Sequence, residues 1–465
     1  MPNIFAYAML LLWPLIALRL KRKLPLVDSV ILLLMVPYLL LPVKVAIDPP
    51  LLPAIDKTFM AAIVAFLFCF KEVGVKGIFT FTTFHNQCIA AIFLGSVATV
   101  FLNGDPLVFD KGFIPALRVW DLIGVLLGHF TWFFVPFYLG YHLLNTAIAH
   151  RRLIYWSAAL GMMYILPMLW EIRMSPQLHA QIYGFFPHEF GQQMRQGGYR
   201  PVVFLGHGLL VAFFTFSACI AAFVLMKNKI SIWKFSGFQV FWILFVAVFL
   251  CKTMGVLFYL VAGLGLLLLV KPQKQFLMAA ILGVVVLIYP MIRESIAPEL
   301  QSFTALIKEY NKDRAQSLEF RLNNEDDLQA KANERPWFGW GSWGRNQIYD
   351  ANGKMTSVTD GVWIIVFGTW GWIGYLGMFG LLCTPLTYWY FFLRRASKAK
   401  FPVESGDYSA ALGIILMANF VDFIPNSSLV SHNFINGGRF GWASCFIKSR
   451  APYANQNHLS LIANR

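Results

Sequence analysis

The chain has 465 residues, of which 58% are hydrophobic and 13% charged, and its formal net charge is +15 at pH 7. Soluble domains carry about twice that share of charged residues, so the composition excludes an ordinary soluble globular protein. The basic residues lie in short clusters between apolar runs, which is typical of membrane proteins and argues against a nucleic-acid partner.

Twelve apolar runs follow one another along the chain, and most approach the length needed to cross a bilayer. They are predicted at 3–18, 26–46, 57–70, 86–102, 119–145, 153–170, 201–226, 235–251, 253–270, 275–291, 360–392 and 408–424. The first is expected to be a retained helix, because no small-residue cleavage site follows it. The predicted fold is therefore all-α, a polytopic integral membrane protein of about 12 transmembrane helices.

The predicted organisation has four parts. Residues 1–291 hold transmembrane helices 1–10, and 292–358 form a large helical loop. Residues 359–425 hold helices 11 and 12, and the tail 426–465 is expected to associate with the membrane, in particular through 429–446.

Six connections between the apolar runs together carry 17 Lys and Arg and one acidic residue, Glu72. They are 19–23, 71–76, 150–152, 227–234, 271–274 and 394–400. Because they are alternate connections, they all face one side, which the positive-inside rule makes cytoplasmic. The N-terminus and the remaining connections are therefore predicted to face outward.

The long outward loop, 292–358, is nearly neutral, with nine basic and ten acidic residues. Apolar residues recur at helical spacing between 300 and 310, and a polar stretch follows them. The Trp- and Gly-rich run at 335–341, RPWFGWG, comes next. Since Trp favours the membrane interface, the loop is predicted to form an ordered cap there.

Lys252 lies in a short link between two long apolar runs, with no other charge near it in the sequence. A cation at the membrane boundary is costly and is usually retained for an anionic partner. The alternative is a lysine that snorkels to the surface and marks the outer end of a helix. The sequence leaves both interpretations open.

Two further groups in outward segments are candidates. Arg321, with Arg314 nearby in the long loop, has the fork of donors that suits phosphate oxygens; the alternative is a solvated helix of mixed charge. Arg195 and Arg200 flank a short polar segment before an apolar run. They are either interface anchors or contacts for phosphate or sugar.

Asp360 opens the eleventh apolar run. An acidic residue in the first turn of a helix is favoured by the helix dipole, and at a membrane boundary it is also a candidate general base. No zinc-protease, Walker or nucleophile-elbow motif is found in the sequence, so neither a metal nor a cofactor is expected.

The end of the long loop resembles the O-antigen ligase and O-antigen or exopolysaccharide polymerase superfamily. The run 335–341 is similar to the family's P-x-x-G-x-G signature, and Arg321 matches the arginine upstream of it. Asp360 and Gly361, then nine residues, then GWIG at 371–374 match the spacing of the family's His-led motif. The resemblance therefore rests on spacing as well as on residue identity.

Two weaker similarities precede the loop. Lys252, in the sequence Cys251-Lys252-Thr253, occupies the place of an arginine in the family's Ser-Arg-Gly motif. Arg195, followed after ten residues by Gly206, fits a pattern of polymerase outer loops. Asp360 in place of histidine and Lys252 in place of arginine favour a polymerase or exopolysaccharide enzyme over a strict ligase.

The resemblance implies a GT-C-like, inverting, metal-independent glycosyltransferase that uses undecaprenyl-diphosphate-linked oligosaccharides. Arg321 and Lys252 would hold the diphosphate, and Asp360 would activate the acceptor hydroxyl. The predicted substrate-binding residues are Arg195, Arg200, Arg314 and Trp340.

The implied location is the bacterial inner membrane, with the active side periplasmic. Membrane lipids and a chain-length regulator are the other candidate partners. Two alternatives from other classes remain: a transporter or flippase of a lipid-linked or anionic substrate, and a non-catalytic scaffold that docks through the long loop.

Overall fold

The protein is described by a computed structural model that covers residues 1–49, 53–74, 83–195, 197–310, 312–398 and 406–426. The predicted membrane-associated segment 429–446 lies outside the described residues, as does nearly all of the tail.

Helices make up most of the described chain. In chain order they are α1 (Ile4–Lys23), α2 (Leu26–Leu40), α3 (Lys57–Val73), α4 (Phe84–Leu102), α5 (Val119–His129), α6 (Val135–Leu143), α7 (Ala147–Met174), α8 (Leu178–Tyr183), α9 (Gly208–Lys227), α10 (Gly237–Leu250), α11 (Met254–Leu269), α12 (Pro272–Ile292), α13 (Ala297–Tyr310), α14 (Lys312–Glu334), α15 (Val362–Lys398) and α16 (Gly406–Asp422). A π-helical segment, Phe130–Phe134, joins α5 to α6, and a 3₁₀ turn covers Phe190–Gln193.

Sheet is confined, in the described residues, to two small antiparallel hairpins. One pairs β1 (Leu107–Phe109) with β2 (Gly112–Ile114), and the other pairs β3 (Met194–Arg195) with β4 (Gly198–Tyr199). Both hairpins lie in connections that the sequence predicts to face outward.

Seven described helical segments are long and apolar enough to cross a membrane. They are Ile4–Lys23, Phe84–Leu102, Val119–Leu143, Ala147–Met174, Gly208–Lys227, Pro272–Ile292 and Val362–Arg395. Three shorter apolar helices are Leu26–Leu40, Gly237–Leu250 and Met254–Leu269. The predicted all-α, polytopic membrane class is confirmed, while the number of twelve spans stays a prediction.

Helix α9 occupies the centre of the bundle. It is apolar on every side, and its residues from 210 to 225 are all buried, as expected for a helix surrounded by other helices. Helices α7, α10, α11 and α16 pack around it. The connections that leave the two ends of this central helix therefore lie at the two ends of the bundle.

Two ion pairs join basic connections to segments on the same predicted side. Lys21 lies 2.9 Å from the carboxylate of Glu72, and Lys227 lies 3.0 Å from that of Asp407. Each pair joins segments that the sequence predicts on the same side. The arrangement is consistent with the predicted alternation of connections.

Helix α15 is broken at Gly371, whose φ of +61° is not helical. The loop segment 336–341 fits against this break, and four backbone hydrogen bonds join the two. They are Trp340 N to Gly368 O (2.9 Å), Gly341 N to Thr369 O (2.9 Å), Trp372 N to Pro336 O (2.7 Å) and Ile373 N to Trp337 O (3.1 Å). We call the segments 336–341 and 368–373 together the interlock.

The glycines of the interlock are required by close backbone approach. A Cβ on Gly339 would lie 2.5 Å from the carbonyl carbon of Thr369, and a Cβ on Gly371 would lie 2.4 Å from that of Trp337. Both glycines also have positive φ, which other residues adopt only at a cost. The loop segment can therefore supply backbone partners to the broken helix only if these positions carry no side chain.

Candidate functional site

A cavity of about 1120 Å³ lies at the end of the bundle where α9 begins, at the opposite end of this helix from the basic residue Lys227. Its described lining residues are 42–44, 56–58, 186–189, 192, 195, 200, 205–207, 209–210, 252–256, 321, 358, 360, 422 and 426. Its charged lining residues are Lys44, Asp56, Lys57, Glu189, Arg195, Arg200, Lys252, Arg321, Asp360 and Asp422. Among these described residues six are basic and four acidic, so the lining carries an excess of positive charge.

Arg321 and Asp360 form an ion pair within the cavity. Arg321 Nε lies 3.2 Å from Asp360 Oδ2, and the two side chains are 44% and 27% exposed. Helix α14 presents the arginine, and the aspartate lies two residues before α15. Partial burial raises the pKa of the Asp360 carboxyl, and Arg321 opposes that shift. The aspartate is therefore a stronger base than a fully solvated one, and it still has access to the cavity.

Lys252 lies in the tight turn between α10 and α11, where it adopts a positive φ of +51°. Its Nζ donates to the backbone carbonyl of Arg195 at 3.2 Å. A Cβ on Gly198 would lie 2.3 Å from the same Nζ, so the β3–β4 hairpin packs directly on the lysine. This contact brings Lys252 and Arg195 to the same part of the cavity.

Arg200 is only 6% exposed, although it lines the cavity. One of its Nη atoms donates to the hydroxyl of Thr253, 3.0 Å away. A hydroxyl is neutral, so this contact orients the guanidinium without cancelling its charge. The side chains of Lys252, Arg195 and Arg200 therefore form a basic region beside the N-terminus of α11.

The sequence interpretation did not single out Lys57, which is buried at the first position of α3 and also lines the cavity. Its Nζ donates to the backbone carbonyls of Tyr38 (3.0 Å), Leu41 (3.4 Å) and Phe204 (3.4 Å). Those contacts join residues that are far apart in the chain. Aspartate is a common N-capping residue, and Asp56 gives the adjacent lysine a local partner of opposite charge, so the sequence held no signal for this role.

The sequence interpretation also did not single out His188 and His207 as lining residues, because no local pattern brings the two histidines together. Their rings lie 4.7 Å apart in an edge-to-face arrangement. His207 Nδ1 accepts from the backbone N–H of Leu209, and His188 Nδ1 accepts from that of Glu189. Burial lowers the pKa of His188, and nearby Lys44 lowers it further. The pair adds neutral polar groups to the basic lining.

Trp340 does not lie among the residues that line the cavity. It is buried between Lys331 and Arg335, with the Lys331 Nζ 4.4 Å and the Arg335 guanidinium 4.2 Å from its ring centre. Its Nε1–H donates to the carbonyl of Lys331 at 2.8 Å. Arg314 lies in α14, and its side chain is outside the described part of the chain. The structure thus gives Trp340 no place among the described lining residues of the cavity.

Residues 239–384 match the family model described as O-Antigen ligase. The matched segment is 146 of the 465 residues and contains Lys252, Arg321 and Asp360 but not Arg195 or Arg200. No curated protein matches the chain.

The family match and the apolar helices support a multi-pass membrane enzyme of the O-antigen ligase or polymerase type, a family that acts on lipid-linked glycans. They give no support to the transporter alternative. The relationship to the O-antigen ligase and polymerase superfamily, predicted from the sequence, is confirmed by the O-antigen ligase domain at residues 239–384.

Proposed function

We propose that the chain is a polysaccharide polymerase that transfers a glycan from undecaprenyl diphosphate to an acceptor hydroxyl at the outer face of the bacterial inner membrane. The observation that carries this proposal is the convergence of Lys252, Arg195, Arg200, Arg321 and Asp360 on one cavity. These residues come from four separate segments of the chain. Their common place at the opposite end of α9 from the basic residue Lys227 supports an outward-facing site.

The positive lining suits a diphosphate. Arginine and lysine form charge-assisted hydrogen bonds with phosphate oxygens, and these bonds are strong where water is partly excluded. Lys252 and Arg321 bind the diphosphate and stabilise the negative charge that develops on it as it leaves. Arg195 and Arg200 guide the lipid head group into the cavity. Since side chains supply the positive charge, the proposed reaction needs no metal.

Asp360 accepts the proton of the acceptor hydroxyl as the hydroxyl oxygen attacks the anomeric carbon of the donor sugar. The bond between that carbon and the diphosphate oxygen breaks, and undecaprenyl diphosphate leaves with the bonding electron pair. Attack from the face opposite the leaving group inverts the anomeric centre. In the resting cavity Arg321 is paired with Asp360, so binding of the diphosphate draws the arginine away and leaves the carboxylate available as a base.

The experiment is a glycan profile of a deletion strain complemented with the wild type, Arg321→Ala or Asp360→Asn. Both variants are expected to accumulate single repeat units on the lipid carrier and to form no long chains, at normal protein level. Loss of a group that stabilises charge in the transition state costs about 100-fold or more in rate. The matched control is Lys354→Ala, which removes an exposed cation from the same loop outside the cavity lining.

Long chains of normal amount from folded Arg321→Ala would refute the mechanism. If the variants accumulate lipid-linked units on the cytoplasmic face and not on the outer face, the result would favour a transporter or flippase. Transfer of single units to a lipid core without polymer would place the enzyme among ligases.

A further inference from the structure

Arg293 is a buried cation outside the cavity lining. It caps the C-terminus of α12 and is only 1% exposed. Its guanidinium reaches α14, where it contacts Asp326 Oδ1 at 2.8 Å and Glu325 Oε2 at 3.4 Å. One of its Nη atoms also donates to the carbonyl of Leu322 at 3.3 Å. A single side chain therefore holds more than one turn of α14.

The same network reaches the start of α15. The Nε1–H of Trp363, which is fully buried, lies 3.5 Å from Glu325 Oε1. Asn324 directly precedes Glu325, and its side chain accepts from the backbone N–H of Val358 at 2.9 Å. The segment 358–363 is thus attached to α14 on both sides of Asp360.

Arg321 and Asp360 are partly exposed neighbours of these buried contacts. Arg321 directly precedes Leu322 and lies one helical turn before Glu325, while Asp360 lies three residues before Trp363. A rotation of α14 by one residue would turn Arg321 by about 100°. The contacts of Arg293 oppose that rotation, because a buried charge cannot leave its partners without a large cost.

We propose that Arg293 is a positioning residue, which acts through Glu325, Asp326 and Trp363 to set the Arg321–Asp360 pair in the cavity. The inference rests on the proposed function, since it gives Arg293 a role in the step that those two residues perform. Arg293 touches no substrate. Its effect on the reaction is expected in the rate of the chemical step more than in the binding of the lipid-linked donor.

The test is polymer formation by the purified full chain from lipid-linked repeat units, with kcat and KM measured separately. Arg293→Met is expected to lower kcat by about 100-fold, the effect of a misplacement of about 1 Å, with a smaller change in KM. Arg293→Lys should recover part of the loss. In an Arg321→Met background the Arg293→Met change should cost little more, because both act on one step.

Arg152→Met is the matched control. Arg152 pairs with the buried carboxylate of Asp28, and both residues lie far from the cavity, near the basic connections. This variant should keep kcat if it folds. Should Arg293→Met fail to fold, Asp326→Asn and Trp363→Phe each remove one contact and are expected to lower kcat by smaller factors.

Three outcomes overturn the proposal: normal kcat in folded Arg293→Met, an equal loss in Arg152→Met, or full additivity with Arg321→Met. If Arg321→Met is itself active, the proposed function fails as well. If Arg321→Met is inactive and Arg293→Met is fully active, only the positioning role fails.

Discussion

The cavity and the interlock differ in what their sequence motifs do. Both contain residues that carry the resemblance to the ligase and polymerase superfamily. In the cavity these are charged side chains, Arg321 and Asp360, which contact each other and border open space. In the interlock they are glycines, Gly339 and Gly371, which let two backbones approach. One family-like pattern thus contains residues for chemistry and residues for architecture.

This difference has a physical consequence for mutations. A partly exposed charge contributes little to folding, because water screens it, so its loss should affect the reaction alone. A glycine that faces another backbone has no space for a side chain, and its replacement strains the fold. The two regions should therefore separate activity from stability.

The largest effect is expected for Gly371→Val and Gly339→Val. Each adds a side chain at a positive φ and places it against a backbone atom at about 2.5 Å. The strain should cost roughly 2–5 kcal/mol of folding free energy. The measurement is the protein level in membranes and the thermal unfolding midpoint in detergent.

Gly265→Ala is the control for this prediction, since no atom lies within 4 Å of a Cβ at that position in α11. It should be neutral or slightly stabilising, because alanine favours a helix over glycine. If Gly371→Val is stable but inactive, the interlock takes part in the reaction. The distinction between a region for chemistry and a region for architecture would then be wrong.

An intermediate effect is expected for the pH dependence of the reaction. Only the ionised form of Asp360 accepts a proton, and partial burial raises its pKa above the ordinary value of 3.8. Activity should therefore be present above the folded-state pKa and decrease as the pH falls through it, at a higher pH than for an exposed aspartate. The measurement is initial rate against pH for the purified enzyme.

The raised pKa of Asp360 also predicts how the Asp360→Asn change affects the folding stability at neutral pH. Because the folded-state pKa lies above that of the unfolded chain, ionisation of Asp360 costs stability as the pH rises between the two values. Asp360→Asn removes this cost, so it should abolish polymer without lowering the unfolding midpoint at neutral pH. A lowered midpoint would mean that the ion pair with Arg321 supports the fold, against the comparison above.

The smallest effect is expected for Trp340→Phe. The change removes the hydrogen bond to the Lys331 carbonyl and weakens the contacts of the ring with the Lys331 and Arg335 cations. A loss of about 1–2 kcal/mol of stability should follow, while KM and chain length stay unchanged. A several-fold rise in KM would restore Trp340 as a sugar-binding residue.

The sequence predicted which charges meet better than it predicted the role of the tryptophans. Lys252 stands out because a lone cation beside an apolar run is unusual, and Arg195 and Arg321 stand out through the spacing of family-like motifs. All three line one cavity. Trp340 stood out equally, but the structure shows it buried between two basic residues. A tryptophan in a membrane protein serves packing and recognition alike, and its spacing does not distinguish them.

The sequence by itself determined the membrane class and the superfamily and predicted the sidedness, because hydropathy, motif spacing and charge alternation are properties of the linear chain. Only the tertiary structure decided which residues share the cavity and why the motif glycines are needed. Lys57 and Arg293 illustrate the reason. Their partners lie in other segments of the chain, and contacts between distant segments leave no local pattern in the sequence.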